Sequence, residues 1–200
     1  MNRPNPGTEG PDYTDRLTRL GEARWKRLLN VQAPFRWNLS RLRLGRTLDV
    51  GCGVGRNLAH LGDGAVGVDH NPTSVREARN RGLTAFTVEE FFASPQAEPG
   101  AFDSLLAAHL VEHLTEGDAR EVIGGYLPFL RTGGRAVFIT PQERGYASDA
   151  THVRFVDFDA ATALAAELGL RPVTHYSVPF PRIAGRWFTY NEFVLVSEKP

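Results

Sequence analysis

The three glycines of Leu48-Asp49-Val50-Gly51-Cys52-Gly53-Val54-Gly55-Arg56 are spaced by single residues. Glycine carries no Cβ and tolerates positive φ, so a ligand can lie against bare main chain at such a turn. Asp49 stands just before the turn, and a second acid, Asp69, closes the apolar run Ala65-Val66-Gly67-Val68. It lies about 20 residues beyond, where a carboxylate can accept both hydroxyls of a ribose. A dinucleotide turn of the form G-x-G-x-x-G would need a glycine where the chain has Arg56. The spacing is G-x-G-x-G instead. Another reactive group is His109-Leu110-Val111-Glu112-His113, with His152 further on. If a helix begins at His109, then His109, Glu112 and His113 share one face. Two imidazoles and a carboxylate can bind a divalent ion there, with His152 as a fourth ligand from a loop. Without an ion, His109 or His113 could act as general base. The same histidines could also simply pack or cap.

These side chains need a scaffold of strands that end where the chemistry begins. The run Thr47-Leu48-Asp49-Val50 reads as a strand, and the apolar spacing of Val54, Leu58 and Leu61 predicts a helix after the turn. Asn71-Pro72-Thr73 is a helix start, for a helix carrying Val75, Ala78 and Arg79 and ending near Gly82. Further strands are expected over 83–86, 102–108 and 135–140. The apolar 102–108 run is expected at the centre of a parallel sheet. Gly124-Gly125 should interrupt the helical stretch between the last two of these, and 130–134 reads as a loop. The long connection 142–156 gathers Glu143, Arg144, Tyr146, Asp149 and His152, and loops of that size usually carry function. A helix over 157–168, capped by Asp157 or Asp159, precedes two final strands over 171–178 and 188–196.

Ahead of this core, residues 1–11 are rich in Pro and Gly without apolar period and read as a disordered arm. Tyr13, Leu17, Leu20, Trp25, Leu28 and Leu29 recur at helical spacing, and a short helix over 35–42 follows Pro34. The expected division is therefore a single domain over 12–200, with a helical cap at 12–44 and a core at 45–200. A chain of 200 residues, 42% hydrophobic, can bury one sizeable core. Its 23 basic and 23 acidic side chains cancel, which argues against long nucleic acid and anionic membranes as partners. One cysteine excludes an internal disulfide framework, and with no export or spanning segment the expected compartment is the cytoplasm.

With Asp49, the G-x-G-x-G turn and Asp69 in place, the chain resembles the class I S-adenosylmethionine-dependent methyltransferases. The resemblance runs from about residue 45 to the end and includes the Leu130-Arg131-Thr132-Gly133-Gly134 loop. It implies an α/β fold: a Rossmann-like, seven-stranded, mostly parallel sheet with an antiparallel last strand, helices on both faces and N-terminal helices over the cofactor. It also implies that S-adenosylmethionine contacts Asp49, Gly51, Gly53, Gly55, Asp69, His70 and Ala108. Glu89 or Glu90 is expected near the adenine, and Arg36 on the methionine carboxylate. Trp25, Gln32, Arg36 and Trp37 would line the acceptor pocket. The His109, Glu112, His113 and His152 set looks like the metal site of metal-dependent RNA 2′-O-methyltransferases and partly like that of ubiquinone-pathway O-methyltransferases. Its first position is His109 where those proteins have Glu. The implied activity is O-methylation of a small polar acceptor, a sugar or natural-product alcohol, assisted by Mg²⁺ or Mn²⁺. A metal-independent methyltransferase and a non-catalytic cofactor-binding domain are the alternatives. A homodimer is left open.

Overall fold

The computed structural model describes residues 32–200. The arm and the helical periodicity expected before Gln32, Trp25 included, lie outside the described residues. A first helix, α1 (Ala33–Leu42), carries Pro34 in its first turn, where a missing N–H costs nothing. Seven strands follow: β1 (Thr47–Val50), β2 (Val66–Val68), β3 (Ala85–Phe86), β4 (Phe102–Ala108), β5 (Leu130–Pro141), β6 (Arg171–Val178) and β7 (Glu192–Glu198). They form one sheet in the order β3-β2-β1-β4-β5-β7-β6. Strands β1 to β5 pair in parallel, while β7 runs against both β5 and β6. The last strand, β7, is the antiparallel one, as expected from the sequence.

The connecting helices are α2 (Pro72–Asn80), α3 (Val88–Phe92), α4 (Glu116–Tyr126), α5 (Glu143–Tyr146) and α6 (Phe158–Glu167). Asn71 caps α2 by accepting from the Thr73 and Ser74 N–H groups, and Asp157 caps α6 from Ala160 N–H. β1 is buried along its length, and β4 nearly so, as expected for strands covered on both faces. One apolar cluster, with Phe91, Ile123, Phe138 and Leu164, lies beneath α3, α4 and α6. A second, with Leu39, Val137 and Val194, lies beneath α1.

Several expected elements differ. No α-helix follows the glycine turn; the chain makes turns through 53–57 and a single 3-10 turn at Leu58–His60. Gly51, Gly53 and Gly55 all have positive φ, and the turn around Gly64 ends the segment before a helix has room to form. Gly124 and Gly125 do not interrupt α4, because Ala119, Ile123 and Tyr126 anchor it through to its end. The 130–134 segment is the start of β5, with an irregular register against β4. β7 begins at Glu192 rather than at 188, since a 3-10 turn at Arg182–Arg186 and the Phe188–Asn191 turn occupy the approach.

Candidate active site

Because β2 and β4 flank β1 on opposite sides, the connections leaving β1 and β4 part at their carboxyl ends and open a crevice. A cleft of about 1610 Å³ begins there. That exceeds the roughly 300–1,000 Å³ usual for one small ligand, so a nucleoside and a second molecule both fit. Gly51, Gly53 and Asp69 line one end. A Cβ on Gly51 would lie 2.9 Å from Leu110 Cδ1, so this glycine serves the packing of β1 against the segment after β4. Gly55 serves similarly, facing the Leu83 side chain. Gly51 and Gly53, the latter at φ 53°, both present main chain to the cleft.

Asp69 Oδ2 accepts from Gly53 N–H at 2.8 Å, and Oδ1 accepts from Asn71 N–H at 2.8 Å. A carboxylate has about four acceptor positions, so capacity remains for two ribose hydroxyls. His70 lies against the same carboxylate at 3.6 Å and lines the cleft. Asp49 is 1% exposed and its Oδ2 has no hydrogen-bond partner. Burial, with the nearby Asp69 charge, pushes its pKa up to about 7. A buried carboxylate left in this state favours a cationic neighbour. The crevice thus has bare main chain and a diol acceptor, with the uncompensated acid Asp49 buried behind its lining rather than in it.

At the far end of the crevice, neither expected glutamate lines the cleft. Glu90 closes a capping box on α3, accepting Thr87 N–H at 2.9 Å, and pairs with Arg79. Glu89 is exposed on the first turn of α3. Val88 and Phe92 line this end instead, with Tyr126, on which Phe92 stacks at 5.5 Å and 25°. Burial first, then Asp69, Glu89 and Cys52, raise the Tyr126 phenol to about 12. The i, i+4 spacing of Val88 and Phe92 was the available signal for this wall. Arg36 is not among the cleft residues; its charge falls on His60, where burial and Arg36 hold the imidazole pKa down. Trp37 is 58% exposed, with Arg41 over its ring, so it does not wall the pocket either. Gln32, Phe35 and Asn38 do, and Asn38 Oδ1 accepts from Tyr176 Oη–H at 2.7 Å.

The histidines lie beyond Ala108, at the other end of the cleft. The segment is not an α-helix: His109 takes φ 57°, and Val111–His113 is a 3-10 turn. His109 therefore leaves the helical face expected for it. Its Nδ1 lies 3.2 Å from Glu112 Oε1 and its Nε2 lies 2.8 Å from Glu192 Oε1, at the start of β7. Burial opposes its charge, but Glu192 and Glu112 outweigh this and lift the pKa to about 10. An imidazole that keeps its proton, with both nitrogens engaged, is a poor base and a poor ligand. His113 is different, since burial, against the pull of Glu112, lowers its pKa. The His113 and His152 rings adjoin, 4.7 Å between centroids and tilted by 59°. Glu112, His113 and His152 place one ligand atom each within 4.8 Å of one another. Glu192 was missed in the sequence because it lies 83 residues from its partner.

The fold is that of the class I S-adenosylmethionine-dependent methyltransferases, with β7 as its antiparallel strand. Residues 47–134 match the family model described as a methyltransferase domain, a stretch that holds the glycine turn, Asp69 and the end of β4. Among solved structures, a SAM-dependent methyltransferase from Archaeoglobus fulgidus superposes with a TM-score of 0.65 at 17% identity, covering 82% of this chain and 93% of that one. Magnesium protoporphyrin IX methyltransferase from Synechocystis PCC 6803, with bound S-adenosylhomocysteine, gives 0.66 at 15% identity over 97% of each chain. A TehB-like SAM-dependent methyltransferase from Corynebacterium glutamicum gives 0.62 at 18% identity, covering 96% of this chain and 100% of that one. No curated protein matches the chain at a significant level.

Proposed function

We propose that the chain transfers the methyl of S-adenosylmethionine to a hydroxyl of a small polar acceptor, a sugar or natural-product alcohol. The observation that carries this reading is the continuity of one cleft from Gly53 and Asp69 to the polar group of His109, His113, His152 and Asp149. A hydroxylated molecule seated there faces acceptors and donors of both kinds. When bound, the cofactor would supply an electrophilic sulfonium methyl; the proton given up by the acceptor hydroxyl would pass to His113, whose pKa burial holds down, or to water where His113 holds an ion.

The residues of this chain hold and orient. Asp69 would grip the ribose, Gly53 and Gly51 would pass the main chain beneath it, and Val88, Phe92 and Tyr126 would receive the base. Glu192 and Glu112 hold both ring nitrogens of His109, so His109 would fix the shape of the acceptor end of the cleft rather than bond the acceptor oxygen itself. Fixing two reactants side by side supplies much of the rate gain in such a transfer. Assistance by a divalent ion is part of the same reading, and Glu112, His113 and His152 are the residues that would hold it; their two nitrogens suit Mn²⁺ better than the Mg²⁺ also expected from the sequence. Among the described residues no helix is long and apolar enough to cross a membrane.

The test has two stages. Calorimetry should show S-adenosylhomocysteine binding to the wild type, and Asp69→Ala should weaken it by about 100-fold, as expected for a lost pair of charge-assisted bonds. A labelled-methyl assay against a panel of sugars, alcohols, amines and thiols should then label hydroxyl oxygens. Label on nitrogen or sulfur alone would overturn the O-directed reading, and no cofactor binding would overturn all of it.

A further inference from the structure

The geometry points to a divalent transition-ion site formed by Glu112, His113 and His152, selective for a zinc-class ion over Mg²⁺. Glu112 is fully buried, and its Oε1 is engaged by His109. Its Oε2 is buried too and has no partner. A carboxylate oxygen in that position is costly unless something positive meets it.

The two imidazoles are oriented as ligands. His113 Nδ1 faces the Thr151 carbonyl at 3.2 Å, and His152 Nδ1 faces the Tyr146 carbonyl at 2.8 Å. A carbonyl only accepts, so each Nδ1 carries the proton and each Nε2 keeps its lone pair. Metal-binding histidines have the same outer bond to a carbonyl or carboxylate. The loop that carries His152 is fastened to the site: Val153 and Arg154 N–H groups donate to the Glu112 carbonyl at 2.9 and 3.1 Å. Thr151 is braced by Asp149, and the His152 ring stacks on Tyr146 at 5.2 Å. Small side-chain rotations bring three donors now within 4.8 Å of one another onto an ion at about 2.0–2.2 Å.

Two nitrogens and one oxygen favour zinc, cobalt, iron(II) or manganese over Mg²⁺, which prefers oxygen ligands alone. His113 and His152 both line the cleft, so the remaining coordination positions open towards the acceptor. The binding of the ion stands by itself; its use in presenting a hydroxyl rests on the function proposed above.

The experiment takes the full chain, stripped with a chelator, and titrates it with Co²⁺ while following ligand-field absorption, then with Zn²⁺ by calorimetry. One ion per chain is expected, with Mg²⁺ bound at least about 100-fold more weakly. His152→Ala should weaken Co²⁺ binding by about 100-fold and lose the absorption band, and Glu112→Gln should do the same if it folds. His60→Ala should change nothing. Co²⁺ binding by His152→Ala at wild-type affinity, or no band in the wild type, overturns the site. S-adenosylhomocysteine is titrated into the same samples: cofactor binding without ion binding overturns the ion alone, and ion binding without cofactor overturns the methyltransferase reading alone.

Discussion

His109 stands at the end of β4 in a backbone region that side chains other than glycine seldom occupy, at φ 57°. The conformation carries its ring between Glu112 and Glu192, joining the exit of β4 to the start of β7. Its pKa, raised from 6.5 to about 10, means that the fold prefers the protonated ring. The stabilisation is therefore complete below pH 6.5 and is lost as pH rises through about 10. Solvent screens part of it, since 42% of the side chain is accessible through the cleft. In the chelated protein, imidazole NMR should find His109 protonated at pH 8, and Glu192→Gln should move its midpoint towards the ordinary value. A wild-type midpoint near 6.5 would show that the two carboxylates do not hold it. The spacing of His109 and Glu112 is visible in the chain, but Glu192 and the positive φ are not. Only the antiparallel entry of β7 brings that second acid to the ring.

At the scale of elements, β2 and α2 present Asp69, the acid proposed above to grip the ribose. Gly67, in the middle of β2, lies so close to the glycine turn that a Cβ there would meet Cys52 Sγ at 2.6 Å and Leu58 Cδ2 at 2.8 Å. Gly67→Ala should overpack this contact, costing about 1–3 kcal/mol, and should also weaken cofactor binding by displacing the turn. Asn71→Ala makes the contrast. It removes the side-chain cap of α2, for about 1 kcal/mol, yet leaves the Asn71 N–H that holds Asp69, so cofactor affinity should stay near wild type. Urea unfolding and calorimetry on both variants separate the two effects. The start of α2 was legible because Asn-Pro-Thr is local chemistry, and β4 because its apolar run is continuous. The segment after Gly55 was not, since helical spacing of Val54, Leu58 and Leu61 arises equally from a turn packed on β2. Similarly, Glu89 and Glu90 suggested an adenine contact, but Glu90 is committed to its own helix end through Thr87 and Arg79.

Across the whole molecule, the sheet order sends β2 and β3 one way from β1 and the remaining strands the other. The acid at position 49 is thereby enclosed on all sides, with Asp69 beside it. Composition and periodicity could place Asp49 on a central strand, but its missing partner is a property of the folded interior. Its pKa, raised from 3.8 to about 7 by burial and by Asp69, means that the fold prefers the neutral acid. The cofactor-free chain should thus be most stable, as far as this group goes, below pH 3.8, and should lose that contribution as pH rises through about 7. The whole loss is on the order of 4 kcal/mol, because each tenfold change in proton affinity is worth about 1.4 kcal/mol. A cationic ligand reverses the preference, because it favours the ionised carboxylate. S-adenosylmethionine should therefore bind with release of a proton from Asp49, and its affinity should rise with pH through about 7. Calorimetry in two buffers of different ionisation enthalpy measures that proton, and thermal melts from pH 5 to 8 measure the stability slope. Asp49→Asn should flatten both while keeping the fold. A pH-independent affinity in the wild type would mean that the buried acid does not feel the charge of the ligand.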